Sequence, residues 1–198
     1  MDGATRYSHF LHEHNTLFSA LRDIATDVVN AGGVVAAALE RGNKVLICGN
    51  GGSASDAQHF AAELIGRFEK ERRPLSAIAL TTDTSILTAL GNDYGYELVF
   101  SRQVEGLASA GDTLIGISTS GNSKNVMLAV KSAKERGVKS IGLLGRDGGE
   151  LASCVDIPVI VPHSVTARIQ EAHIFIIHFW CAQIEREVFS REHWVDKV

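Results

Sequence analysis

His59 and Glu63 stand four residues apart in SDAQHFAAELIGRF. On a helix the two side chains share a face and lean toward its N-terminal end. An imidazole and a carboxylate so placed can hold one metal ion or work as an acid and a base, although the same spacing elsewhere is often only a solvated contact. RIQEAHIFIIH supplies a second set. Gln170 and His178 are eight residues apart, about 12 Å of rise on a straight helix. Both reach one ion only if Gln170 extends forward while His178 leans back, or if one of them comes from another subunit. His173, three residues after Gln170, competes with His178, and the default for either is a core histidine with a satisfied ring.

Two loops have the composition of a phosphate site. In CGNGGSASD, Gly49, Gly51 and Ala54 fit the dinucleotide pattern GxGxxG/A. That reading needs an acidic residue closing the second strand about 20 residues later. Here the second strand ends in Ala79 and Leu80, with Asp83 beyond it. The glycines serve a different ligand equally well, because they let backbone N–H groups approach an anion or hydroxyl at a helix N-terminus, with Ser53 as a further donor. In ISTSGNSKN, Ser118, Thr119, Ser120 and Ser123 cluster around Gly121. A phosphate accepts several such hydrogen bonds, whereas ordinary capping uses one hydroxyl. Lys124 is the one nearby cation. GNDYGYE brings Asn92 and Asp93 to the rim as sugar-hydroxyl partners, or is a plain turn.

The elements that must position these residues are readable from hydrophobic patterning. Apolar runs at 44–49, 76–80, 112–118, 139–145 and 155–161 do not alternate with polar residues, as expected of parallel strands buried on both faces. Between them, SKNVMLAVKSAKERG places Val126, Ala129, Val130 and Ala133 on one helical face. The expected fold is α/β: a five-stranded parallel sheet of flavodoxin-like order 2-1-3-4-5, flanked by helices, with additional N- and C-terminal assembly helices. In that order the loops after strands one and three flank the switch point, so one pocket can use both.

The chain reads as a single domain over 1–198, with oligomerisation helices over about 1–40 and the α/β core and C-terminal helix over 41–198. Phe10, Leu17, Leu21, Ile24 and Val28 form a stripe ahead of all strands. It packs on its own sheet or, the reading favoured here, against a symmetry mate. A long helical pattern covers 165–189 and is apolar nearly all round from Ile174 to Ile184. Such a helix is buried, so Gln170, His173, His178 and Gln183 need partners.

The 198 residues are 45% hydrophobic and 21% charged, with a formal charge of −4, which excludes disordered and low-complexity classes. No basic surplus is present to bind nucleic acid or coat an anionic membrane, so any phosphate must be held locally. Cys48, Cys154 and Cys181 form no CxxC pair, which points to a reducing, cytoplasmic setting. No secretory leader is visible, and the most apolar run, IFIIHFW, is far too short to span a bilayer.

Taken together, KVLICGNGGSASDAQHFAAELIGRF, GNDYGYE, ISTSGNS and RIQEAHIFIIH resemble, in order and spacing, the phosphoheptose isomerases of the sugar isomerase (SIS) domain superfamily. The resemblance covers nearly the whole chain and is strongest from about residue 40 to 188. It implies conversion of D-sedoheptulose 7-phosphate to D-glycero-D-manno-heptose 7-phosphate through a cis-enediol, the first step toward nucleotide-activated heptose for surface glycans. It further implies Glu63 and His178 as the catalytic pair, with Asn50, Gly51, Gly52, Ser53, Glu63, Asn92, Asp93, Ser118, Thr119, Ser120, Ser123 and Gln170 at the substrate. His59, Glu63, Gln170 and His178 would hold one Zn2+ per subunit, in a homotetramer with active sites near subunit interfaces. Some members carry an acidic residue before RIQE, where this chain has Ala167. Non-catalytic relatives, a replication-initiator-binding protein and sugar-phosphate sensors, have no need of the Glu63 and His178 pair.

Overall fold

The computed structural model describes residues 1–189. Five parallel strands, β1 (Val45–Gly49), β2 (Ala77–Ala79), β3 (Thr113–Ser118), β4 (Lys139–Gly145) and β5 (Ile157–Val161), form one sheet of order β2-β1-β3-β4-β5. The expected strand order is the observed one. Period-two alternation divides the sheet's side chains between two layers. Val45, Ile47, Ile115, Ile117, Ile141 and Leu143 face one core. Leu46, Cys48, Leu114 and Leu144 face the other.

Eight α-helices are described: α1 (Gly3–Ala20), α2 (Ala25–Glu40), α3 (Gly52–Ile65), α4 (Thr84–Asp93), α5 (Ser101–Leu107), α6 (Lys124–Glu135), α7 (Gly149–Cys154) and α8 (Thr166–Val188). Helices α2, α3 and α8 cover the first face through Val35, Leu39, Phe60, Leu64, Ile176 and Trp180. On the second face α6 buries Val126, Ala129, Val130 and Ala133, the stripe read from its spacing. Burying such a side chain stabilises by about 1.5–3 kcal/mol for Val and less for Ala, so this face contributes to holding α6 on the sheet.

The terminal helices correct one expectation. Leu17, Leu21 and Val28 are buried in the chain's own core beside α8, the first of the two readings of this stripe, while Leu21 and Val28 also line an apolar groove at the surface. Helix α2 runs unbroken through Gly32 and Gly33 because α8 presses on it there. A Cβ at Gly32 would lie 2.3 Å from Gln183 Oε1 and 2.8 Å from Trp180 Cδ1, while the Trp180 indole donates to Val28 O at 2.8 Å. Phe10 of the same stripe is exposed, and so are Phe175 and Phe179 of α8, which is therefore not buried all round.

Candidate functional site

Helix α3 begins where β1 ends, and Gly51 makes that turn with φ +56, a left-handed conformation that other residues avoid. Its neighbour Gly52 has a different duty. A Cβ there would lie 2.2 Å from Gln170 Nε2, so the missing side chain is what admits the Gln170 amide from α8. The two helices then run side by side in register: Gly52 meets Gln170, His59 meets His178, and the Phe60 ring stacks on Trp180 at 6.0 Å.

This register assembles the chemistry-bearing residues. His59 Nε2 lies 2.9 Å from His178 Nε2 and 3.6 Å from Glu63 Oε1. One imidazole must donate and the other accept, so the pair cannot both be protonated in this arrangement. The three side chains are half-buried, and the Phe68 ring lies 5.5 Å from the His178 ring. His173 is the core histidine of the two candidates. It is fully buried, its Nε2 bonds Leu144 O at 3.0 Å, and burial pushes its pKa down to about 4.

Two imidazole nitrogens and a carboxylate oxygen are a donor set of the kind zinc takes. As the side chains stand, the imidazoles bond each other, and among the described residues no group of three or more His, Cys, Asp or Glu surrounds a metal-sized gap. Gln170 stands two turns away along α8, at the glycine loop.

The serine loop leaves β3 and enters α6. Ser118 Oγ lies 2.9 Å from Ser123 Oγ and 3.5 Å from Ser120 Oγ, and it accepts from Gly121 N at 3.1 Å. Ser123 occupies the cap position of α6 without making a capping bond, so the hydroxyls cluster with one another at the positive end of the helix. Gly121 is fixed by φ +69 and by Gly148 O, 2.1 Å from where a Cβ would sit. Thr119 is half-buried beside the cluster and Lys124 is exposed.

An amide pair that the spacing did not reveal bridges the two loops. Asn50 Nδ2 donates to Asn125 Oδ1 at 2.9 Å, Asn125 Nδ2 donates back to Asn50 Oδ1 at 2.8 Å, and Tyr96 Oη donates to Asn50 Oδ1 at 3.2 Å. Asn92 and Asp93 end α4, exposed and bonded to each other at 2.8 Å, so the contact from GNDYGYE to the glycine loop is Tyr96's. Ser53 is buried in the first turn of α3, packed on Gly49. A second unforeseen residue is Asp56, one turn before His59. Its Oδ2 is buried without a partner, and burial pushes its pKa up to about 6 against the pull of His59.

A parallel sheet with hydroxyl- and glycine-lined loops at its switch point defines a class: a model of the SIS domain family matches residues 9–145. Within that class, the phosphoheptose isomerase of Citrifermentans bemidjiense is 56% identical over 182 residues, 91% of this chain and 95% of its own. The solved phosphoheptose isomerase GmhA of Neisseria gonorrhoeae superposes with a TM-score of 0.88 at 48% identity, covering 92% of this chain and 98% of its own. A phosphoheptose isomerase from Francisella tularensis gives 0.91 at 37% identity over 94% and 100% of the two chains. The chain belongs to the phosphoheptose isomerase family of SIS-domain proteins.

Proposed function

We propose that this chain interconverts D-sedoheptulose 7-phosphate and D-glycero-D-manno-heptose 7-phosphate, a reading supported by relatives that are named phosphoheptose isomerases. The observation that carries the reading is the convergence of Glu63 and His178 on His59, in a chain whose serine loop ends in an α6 cap residue, Ser123, that makes no capping bond. Ketose and aldose differ by two proton positions. The Glu63 carboxylate takes the proton from C1 and returns it to C2, while His178 takes the O1 proton and supplies one to O2 as the enediol forms and collapses. Ser118, Thr119, Ser120 and Ser123 anchor the distal phosphate, so binding energy from a group that does not react holds the reacting end in place. Asn50, Gly51, Gly52, Ser53, Asn92, Asp93 and Gln170 complete the contacts to the sugar.

The same reading includes a zinc ion that His59, Glu63 and His178 would hold, joined by Gln170 if its amide extended from the glycine loop toward them; when bound it would supply Lewis-acid polarisation of the substrate carbonyl. With such an ion bound, Glu63 would serve as base only with one carboxylate oxygen left free; otherwise the metal would have another role. The assembly in this reading is a cytoplasmic homotetramer. Its support is an apolar groove of about 370 Å³ lined by Phe18, Leu21, Ile24, Val28, Phe175 and Phe179, together with three free cysteines. No described helix is long and apolar enough to cross a membrane.

Incubation with sedoheptulose 7-phosphate, followed by NMR, is expected to yield the aldose 7-phosphate; an unchanged ketose overturns the reaction in favour of a binding module. Chelator-stripped protein is expected to lose turnover and regain it with zinc. Full activity in protein shown by elemental analysis to be metal-free removes the ion from the reading.

A further inference from the structure

We infer that the buried Arg72–Glu185 ion pair is a positioning device: it fastens the segment between α3 and β2 onto α8 so that Glu63, His178 and Phe68 keep their mutual placement. The inference rests on the reaction proposed above for these side chains. Glu185 lies seven residues after His178, two turns along the same face of α8. Its Oε1 accepts from Phe68 N at 3.0 Å and Arg72 Nε at 2.9 Å, and its Oε2 accepts from Glu69 N and Lys70 N, both at 3.1 Å. Burial opposes ionisation of this carboxyl, but the three N–H donors and the guanidinium outweigh it and hold its pKa below the usual glutamate value.

Arg72 faces the other way, toward the end of α3, where the last carbonyls of a helix have no partners within it. Its Nη2 donates to Glu63 O at 2.7 Å, and its Nη1 to Leu64 O at 2.9 Å, Arg73 O at 3.2 Å and Gly66 O at 3.3 Å. The backbone of the proposed base is therefore held by a cation that is itself held by α8. Glu185 in turn fixes Phe68, whose ring lies 5.5 Å from the ring of His178 on the same helix as Glu185.

With side chains only 1% and 4% exposed, the pair adds little net stability compared with apolar residues of the same volume. Its distinct contribution is direction. A guanidinium and a carboxylate satisfied at this many fixed angles define where two chain segments meet, whereas apolar contacts define only that they meet.

Glu185→Gln keeps the side chain's size but removes its charge and gives the Phe68–Lys70 N–H groups an amide in place of two acceptor oxygens. Phe68→Ala leaves the ion pair intact. Both full-length variants are to be assayed with sedoheptulose 7-phosphate well below their melting temperatures, and Glu185→Gln is to be crystallised. The expected result is a kcat lowered at least tenfold in Glu185→Gln and several-fold in Phe68→Ala, each with KM within twofold of wild type. In the Glu185→Gln crystal, Phe68 should be withdrawn from His178. Wild-type kcat in both variants overturns the device. So does a loss in Glu185→Gln matched by a smaller folded fraction while Phe68→Ala stays at wild-type kcat, or a Phe68–His178 placement that does not change. An inert wild type would instead overturn the reaction, and the crystal structure would then decide on the device separately.

Discussion

The two parts of the proposed site are built by opposite means. At the phosphate end, Ser118, Ser120, Gly121 and Ser123 lie within six residues of chain and bond one another, so a single strand-to-helix turn produces the site. At the reacting end, His59 and His178 are separated by 119 positions and meet only because α3 and α8 pack in register. The first kind of site forms wherever its turn forms. The second depends on every contact that sets the helix pair, from Gly52 against Gln170 to Arg72 against Glu185. Anchoring and chemistry should therefore be separable by mutation.

The largest effect tests that separation directly. Glu63→Gln keeps shape and helix propensity but cannot take a proton. Its kcat is expected to fall about a thousandfold, within the range for loss of a general base, with KM changed by no more than about threefold. A large rise in KM with kcat intact would assign Glu63 to binding and break the comparison. Steady-state kinetics on the purified variant, with circular dichroism to confirm folding, supplies the measurement.

The same contrast explains what could be read from residue order alone. Strand-to-helix turns with their glycines and hydroxyls are local, so both loops and the strand order were accessible from spacing and hydrophobic runs. His59 and Glu63 were accessible because a helix period places them together. Asn125 was not, since its role is set by an amide in a different loop. Phe68 and Arg72 belong to a segment without periodicity, and nothing in their spacing points to Glu185, which lies more than a hundred positions on. The N-terminal stripe shows the limit of patterning: it marks that Leu17, Leu21 and Val28 are buried, but not against what.

A smaller effect should separate the two ends by pH. His173 ties α8, which carries half of the reacting end, to Leu144 at the end of β4, and its Nδ1 is buried without a partner. Protonation would add a second donor with nowhere to go, and burial accordingly lowers the pKa from 6.5 to about 4. In the unfolded chain the ring takes a proton near the ordinary value, so the stability that neutral His173 contributes is complete above about pH 6.5. It is lost as pH falls to about 4, a change of about 3 kcal/mol. His173→Gln retains a donor for Leu144 and should flatten that part of the stability curve, measured by urea unfolding at pH 7.5, 5.5 and 4.5. An unaltered slope would place acid sensitivity elsewhere. Asp112, Asp156 and Glu185 are held below their ordinary values by donors that outweigh burial, so their contributions disappear only at lower pH.

The smallest effect is the most discriminating at the phosphate end. Ser123 sits at the cap position of α6, and substitution of a capping serine by alanine ordinarily costs about 1 kcal/mol of stability. Here the hydroxyl caps nothing and bonds Ser118 Oγ, so Ser123→Ala should leave the melting temperature within about a degree of wild type. Removing one hydrogen bond to a charged phosphate should instead raise KM about tenfold and weaken inhibition by inorganic phosphate to the same degree, with kcat within threefold. A lowered melting temperature with unchanged KM would make Ser123 a cap after all. A collapse of kcat would show that the serine loop's hold on the phosphate also sets how the reacting end meets Glu63 and His178, and would break the separation of anchoring from chemistry.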